Sequence, residues 1–231
     1  MKVAIIPARG GSKRIPRKNI KDFCGKPIIA WSIEKAIESG CFDRVIVSTD
    51  DEEIAMIAKV FGAEVPFIRS IDLADDNTGT IPVIANAVEW LNANGPLVEM
   101  ACCIYATSPF ILSSDLLQGL NVLQSMEFGY VFSVTSYPFP IQRAIRIRTD
   151  NRIEMFQPEN LNVRSQDLEE AWHDAGQFYW GSAQCWLEEK PMFSEYSAPI
   201  VLPRYRVQDI DTLEDWIQAE YMFRMLNEKS L

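Results

Sequence analysis

The sequence predicts an α/β protein built on a mainly parallel sheet, and three observations carry that expectation. Strand-like and helix-like patterns alternate through the first two-thirds of the chain, which implies crossover connections between parallel strands. Runs such as residues 3–7 are apolar throughout, as in strands covered on both faces. The 231 residues are 48% hydrophobic and 23% charged, enough apolar material for a substantial core in one domain, residues 1–231.

The elements follow in order. Residues 3–7 read as a buried strand. Residues 27–39 read as a helix, with Pro27 near its first turn and Gly40 as its stop. Residues 44–49, RVIVST, form the next strand, and 51–61 a helix closed by Gly62. A short strand is expected at 64–68. Ile81, Ile84, Val88 and Leu91 recur at helical spacing within 81–92, with Thr78 and Thr80 as capping candidates. Strands at 100–106 and 130–135 flank a helix from about 115 to Met126. The rhythm breaks between about 137 and 172, a stretch holding Pro138, Pro140 and Pro158. It reads as an inserted lobe, an arm that meets a partner subunit, or a substrate lid. A strand at 177–181 follows, with about half of Gln177, Phe178, Tyr179 and Trp180 expected in the core. The last helix spans about 212–227. No internal repeat is visible.

Composition excludes several classes. A net charge of -10 argues against a general nucleic-acid binder. No apolar run approaches the ~20 residues that span a bilayer, so no membrane segment is expected. The first apolar run stops at Ala8, too short for a secretory signal, and a cytoplasmic location is the expectation. The five cysteines include no C-x-x-C pair and read as reduced thiols; Cys102 and Cys103 point to opposite faces of their strand. The single histidine, His173, excludes a His-rich zinc site.

Against this acidic background, six of the 22 Lys and Arg residues fall between positions 9 and 21. Five of them belong to RGGSKRIPRKN, residues 9–19, which directly follows the first strand, and the sixth is Lys21. Ligands of such sheets bind outside the carboxyl ends of the strands. Ser48, Thr49 and Asp50, and Thr107, Ser108 and Pro109, fall at the same edge. Gly10 and Gly11 let the backbone turn tightly and offer N–H groups to an anion. The segment lacks the G-K-[ST] of a Walker A loop and the spacing G-x-G-x-x-G. Pro16 disfavours an immediate long helix. An extended basic loop wrapping a polyphosphate is expected; a solvated charge run accounts for the charge but not for the glycines, the preceding strand or Asn19.

Asp209 and Asp211, two apart, lie on one face if the chain there is a strand. Hard oxygen ligands of this kind suit Mg²⁺. Asp211 or Thr212 could instead cap the following helix, which leaves Asp209 without a role. Asp50 and Asp51 read as a strand end and a helix cap.

IPARGGSKRIPRKNI, residues 6–20, closely resembles the motif of the CMP-sialic acid synthetase group of cytidylyltransferases. The resemblance continues through GKPIIAWSIEKA (25–36), VIVSTDDEEIA (45–55), RSIDLADDNTGT (69–80), ATSPF (106–110), RSQDL (164–168) and DIDTLEDW (209–216). It implies a Rossmann-like three-layer α/β/α nucleotidyltransferase fold, with a mainly parallel mixed sheet and a small inserted dimerisation arm within 137–172. The implied reaction is attack of a 2-keto sugar acid's anomeric hydroxyl on the α-phosphorus of CTP, releasing pyrophosphate, with Mg²⁺ as cofactor. No Ser-His or Cys-His dyad is needed, since the sugar is the nucleophile; catalysis is positioning and charge neutralisation. By resemblance Ala8, Arg9, Gly10, Gly11, Ser12, Lys18, Asn19, Arg69 and Thr80 hold the nucleotide. Arg9 and Lys18 also stabilise the departing pyrophosphate, Asp209 and Asp211 hold the metal, and Asp211 ranks with Arg9 and Lys18 as catalytic.

FPIQRA (139–144) and HDAGQFYWG (173–181) resemble the pseudaminic acid branch of this group. Sialic acid enzymes typically carry Asn-Gly where this chain has Ala175 and Gly176, and Gln where it has Tyr105. The product this resemblance implies is CMP-pseudaminic acid, for surface glycan or flagellin glycosylation. The same reaction on N-acetylneuraminic, legionaminic or a related acid is the alternative, and a non-catalytic or glycosyltransferase-like nucleotide binder is the reading from another class. The sugar's carboxylate, hydroxyl and N-acyl groups call on Tyr105, Thr107, Ser108, Gln142, Arg143, Arg164, Gln166, His173, Asp174, Gln177 and Tyr179. Arg164 offers a planar donor fork. His173 or Asp174 could accept the hydroxyl proton, and His173 could equally make a structural hydrogen bond in a loop. The family is commonly a homodimer.

Overall fold

The computed structural model describes residues 1–75, 78–125 and 129–228. In chain order its strands and α-helices are β1 (Lys2–Pro7), β2 (Asp22–Phe23), β3 (Lys26–Pro27), α1 (Ile28–Glu38), β4 (Arg44–Ser48), α2 (Glu52–Val60), α3 (Thr80–Ala93), β5 (Met100–Ile104), α4 (Ser113–Ser125), β6 (Tyr130–Ser136), β7 (Ile145–Ile147), β8 (Ile153–Met155), β9 (Trp172–Ser182), α5 (Ala183–Leu187), β10 (Ser197–Val201) and α6 (Leu213–Glu228).

Six strands form one sheet in the order β10-β6-β9-β5-β1-β4. β1 runs parallel to both β4 and β5, and β10 runs parallel to β6. Only β9 is reversed, pairing antiparallel with β5 and β6. The sheet is therefore mixed and mainly parallel, as expected. Side chains alternate across it: Cys102, Phe178 and Trp180 pack with α1, α2 and α4, while Cys103 and Tyr179 pack with α3 and α5. A smaller core under α6 joins Ile15 and Phe23 to Trp216, with the Phe23 and Trp216 rings edge to face at 5.5 Å. Among the described residues no helix is long and apolar enough to cross a membrane.

Several expectations need correction. Residues 64–68 form no strand; Glu64 makes only an isolated parallel bridge to Ile46. Neither Thr78 nor Thr80 caps α3: Gly79 holds that position without a side-chain bond, and Thr80 is already helical. The strand expected at 177–181 begins five residues earlier, so His173 lies in β9 and not in a loop. Gln177, Phe178, Tyr179 and Trp180 are all buried, because β9 is central and covered on both faces. The sequence pattern also missed α5 and β10. Met126, the expected helix end, lies outside the described residues, as do Asp76 and Asn77 of the 69–80 motif. Asp51 does cap α2, its carboxylate accepting the Ile54 N–H at 3.0 Å.

Between β6 and β9 the chain leaves the sheet. β7 and β8 form a separate antiparallel hairpin there, with Ile145, Ile147, Ile153 and Phe156 exposed. Its neck is closed: Ser136 pairs with Trp172, and the Tyr137 N–H donates to the Ala171 carbonyl at 3.0 Å.

Candidate active site

The basic loop lies at the carboxyl end of β1 and forms one wall of a cleft of about 270 Å³. Arg9, Ser12, Lys13, Arg14, Lys18 and Asn19 supply that wall. Arg69 and Asp75 to one side, Thr78 to Thr80 at the start of α3, and Tyr105 to Thr107 after β5 supply the rest, and Asp211 closes it. Four of the six clustered cations thus face the cleft. The other two do not: Arg17 pairs with Asp51 and Glu53, and the Lys21 ammonium lies 4.5 Å from the Trp216 ring centroid.

Side chains within the chain hold the loop open. Arg9 donates to the Asp75 carbonyl at 2.6 Å. The buried Asn19 donates to the Arg9 carbonyl at 3.0 Å and ties the two ends of the loop together. Lys18 donates to the Ile210 carbonyl at 2.6 Å and lies 3.6 Å from Asp211. Arg14 reaches the same Asp211 oxygen at 2.8 Å. Gly11 is exposed, but the Gly10 N–H donates to the Asp50 carboxylate at 2.9 Å, so it is already spent within the chain and is not offered to a ligand in this arrangement.

Arg69 points most directly to a site for hydrogen-bond acceptors. It is 4% exposed, and its Nε and Nη2 have no hydrogen-bond partner in the structure. The nearest carboxylate, Asp50, is 3.8 Å from Nη2. Burial pushes its guanidinium below the ordinary arginine range; Asp50 opposes this and the charge of Arg9 reinforces it. Buried donors of a charged group are costly to leave unmade, so an acceptor in the cleft would relieve them.

A second pocket of about 410 Å³ shares Gly79, Thr80 and Tyr105 with the cleft. Asp174 and Tyr179 line it, with Ile81, Pro82, Glu189, Met192 and Phe193. The Tyr179 hydroxyl donates to Asp174 at 2.6 Å, and the other Asp174 oxygen accepts the Gly176 N–H at 2.8 Å. Thr80 and Tyr105 hydroxyls are 3.1 Å apart, and the Tyr105 and Tyr179 rings meet at 5.2 Å. Burial raises both phenols far above neutrality, so they serve as hydrogen-bonding groups and not as bases. Met192 and Phe193 escaped sequence reasoning. They follow α5 in an irregular segment, and only tertiary folding brings them to Tyr105.

The remaining expected residues fall elsewhere. Ala8 is buried behind the loop, its N–H bonded to the Ser48 carbonyl. Ser108 is buried against β9, within hydrogen-bond reach of the Gly176 and Gln177 carbonyls. Gln177 is buried too and donates to the Arg206 carbonyl at 2.6 Å. His173 sits at the neck of the hairpin segment, Nδ1 2.8 Å from the Asp174 carbonyl and its ring 4.7 Å from that of Tyr137. Gln142, Arg143, Arg164 and Gln166 line neither pocket. Gln142 bonds the Glu169 carbonyl, Arg143 bonds the Val163 carbonyl, and Arg164 and Gln166 are exposed.

Asp209 and Asp211 are not in a strand; they lie in an irregular segment before α6. The cap of α6 is Thr212, whose hydroxyl accepts the Asp215 N–H at 3.2 Å while Asp215 accepts the Thr212 N–H at 2.7 Å. That reciprocal bond leaves the Asp211 carboxylate to the cleft. Desolvation, then the negative charge of Asp211, raises the Asp209 carboxyl although the residue is exposed. Asp211 lines the cleft and Asp209 does not, and both offer the hard carboxylate oxygens that suit a divalent cation. No group of three or more His, Cys, Asp or Glu among the described residues could hold a metal alone. A bound Mg²⁺ would therefore take further oxygens from phosphate and water, which is its habit.

A basic loop facing the Asp211 carboxylate, with Asp209 outside the cleft lining, at the carboxyl edge of the sheet suits transfer of a phosphoryl-linked group. The chain belongs to the cytidylyltransferase family, whose model, described as Cytidylyltransferase, matches residues 3–228. The fold and family make it a CTP-dependent nucleotidyltransferase. It is 44% identical over 228 residues to pseudaminic acid cytidylyltransferase of Campylobacter jejuni, covering 99% of this chain and 98% of that one. It is 31% identical over 236 residues to CMP-N,N'-diacetyllegionaminic acid synthase of Legionella pneumophila, covering 99% and 98%. The solved structure of CMP:2-keto-3-deoxy-manno-octonic acid synthetase complexed with CTP shares the fold, with a TM-score of 0.70 at 14% identity, covering 97% of this chain and 98% of that one.

Proposed function

We propose that this enzyme transfers the cytidylyl group of CTP to the anomeric hydroxyl of pseudaminic acid, yielding CMP-pseudaminic acid for surface glycan or flagellin glycosylation. The observation that carries this reading is the shared Thr80–Tyr105 wall between a cationic cleft and a second pocket of mixed character. The end-to-end similarity to the Campylobacter jejuni enzyme supports the choice of sugar.

In this reading CTP lies in the cleft. Arg9, Ser12 and Lys18 hold the triphosphate, while Asn19, Arg69 and Thr80 hold the nucleoside end. The sugar acid enters the second pocket, where Met192 and Phe193 cover its N-acyl methyl groups. Its anomeric oxygen forms a bond to the α-phosphorus as the bond to the bridging oxygen of pyrophosphate breaks. Asp174 takes the hydroxyl proton. Arg9 and Lys18 neutralise the charge that grows on the leaving pyrophosphate. Asp209 and Asp211 would hold Mg²⁺, which neutralises phosphate charge when bound.

The hairpin segment is read as a dimerisation arm. Its exposed apolar side chains need a partner surface. Gln142, Arg143, Arg164 and Gln166 lie outside both pockets of their own chain, so a neighbour's sugar site is where they would act. A cytoplasmic homodimer is proposed, and its mass in solution tests it: a monomer at assay concentration overturns it.

Pyrophosphate release from CTP and Mg²⁺, measured separately with pseudaminic, legionaminic and N-acetylneuraminic acids, tests the reaction. Turnover with pseudaminic acid is expected. Turnover confined to another acid overturns the sugar, and none with any acid overturns the reaction.

A further inference from the structure

Arg17 stands in the middle of the basic loop but faces away from the cleft, and its backbone is left-handed, with φ 55° and ψ 31°. An L-residue with a long side chain adopts that conformation only where its surroundings impose it. The guanidinium supplies the constraint. Nη1 and Nη2 grip the two oxygens of Asp51 at 2.5 and 2.9 Å, and Nη2 also donates to Glu53 at 2.6 Å. Such a two-pronged pair fixes direction as well as distance.

Asp51 is held from the other side as well. One oxygen caps α2 through the Ile54 N–H. The other lies directly beneath Gly10: a Cβ on that glycine would sit 2.6 Å from Asp51 Oδ2. Gly10 is thus seated against the carboxylate that Arg17 grips. At its own end, the Arg17 carbonyl accepts the N–H groups of Ile20 and Lys21, both at 3.0 Å, and so starts the turn that carries Lys18 and Asn19 into the cleft.

We propose that Arg17 and Asp51 form a positioning latch: one ion pair sets the spacing between the Gly10 and Lys18 ends of the loop, so that both meet a single triphosphate. Neither residue lines the cleft. Both act through others. The proposal rests on the reading of the cleft as the CTP site.

The test is CTP binding by calorimetry without any sugar acid, on wild type, Arg17→Gln, Arg17→Lys, Asp51→Asn and the Arg17→Gln/Asp51→Asn double variant, with thermal unfolding in parallel. The readout does not depend on the identity of the sugar. Arg17→Gln should weaken CTP by about tenfold or more, the scale of one lost charge-assisted contact. Arg17→Lys should recover part of that loss, and the double variant should bind no worse than the worse single variant. In turnover, KM for CTP should rise while KM for the sugar acid stays level. Wild-type CTP affinity in Arg17→Gln, or additive losses in the double variant, overturns the latch. If Arg17→Gln does not fold, Arg17→Lys decides alone: its CTP affinity must fall below wild type. A wild type that does not bind CTP removes the reading of the cleft, and the latch with it.

Discussion

Arg14 and Asp211, separated by almost the whole chain, meet with Nη2 2.8 Å from Oδ1 across the mouth of the cleft. The basic loop and Asp211 are therefore in contact, and in the proposed reading a triphosphate competes with Asp211 for Arg14 and Lys18. In Asp211→Asn this competition is gone. Metal-free CTP should bind it at least as tightly as wild type, while turnover with Mg²⁺ falls by about two orders of magnitude. Calorimetry in chelator and pyrophosphate release in Mg²⁺ measure the two effects. The pair is solvent-exposed, so thermal stability should scarcely change. Wild-type turnover in Asp211→Asn removes Asp211 from the reaction.

Arg69 separates stability from function. Its orphaned donors burden the free protein, so Arg69→Met should unfold at the same temperature as wild type or higher. The same change should weaken CTP by about a hundredfold, as expected for hydrogen bonds from a buried charge. Thermal scans with and without CTP show both effects, and a variant that CTP stabilises as well as wild type overturns the assignment.

Tyr179→Phe removes the hydroxyl that Asp174 accepts at 2.6 Å without opening a cavity. KM for the sugar acid should rise several-fold, with KM for CTP unchanged. An equal rise in both would place the Tyr179–Asp174 bond with the nucleotide and not with the sugar.

Acid should test the Arg17–Asp51 pair. The Arg17 guanidinium holds the Asp51 carboxyl at about 2 in the folded protein. An unfolded aspartate titrates near 3.9. The folded value is the lower, so the pair's contribution is present above about pH 4 and is lost as pH falls towards 2. Asp51→Asn keeps a capping side chain but lacks the charge that the pair needs. It should be less stable than wild type by up to about 2 kcal/mol at neutral pH, and the gap should close below about pH 4. Urea unfolding at several pH values measures it; a gap unchanged down to pH 2 excludes the pair as its source.

Much of this was legible in the sequence because it is local. The apolar runs of β1, β5 and β6 and the stops at Gly40 and Gly62 are set by neighbours a few residues away. RGGSKRIPRKN could be placed because it follows a strand directly. The roles within it could not be sorted by composition: Arg14 and Arg17 are chemically alike, but only folding turns one towards Asp211 and the other towards Asp51. Residues 177–181 gave only the fully buried part of β9; His173 and Asp174 precede it at the rim, where polar side chains hide a strand. Met192 and Phe193 reach the second pocket through tertiary packing, for which no local pattern exists. Asp211 was found through its spacing to Asp209, although the strand invoked to align them is not there.

The closed neck between Ser136 and Trp172 has a consequence beyond this molecule. The segment starts and finishes on one rung of the ladder, so its length is invisible to the sheet. Residues can be gained, lost or exchanged there without shifting any strand, which makes the hairpin a cassette. Trading that cassette would leave the six strands, and the cleft that shares the carboxyl edge of the sheet with the neck, where they are.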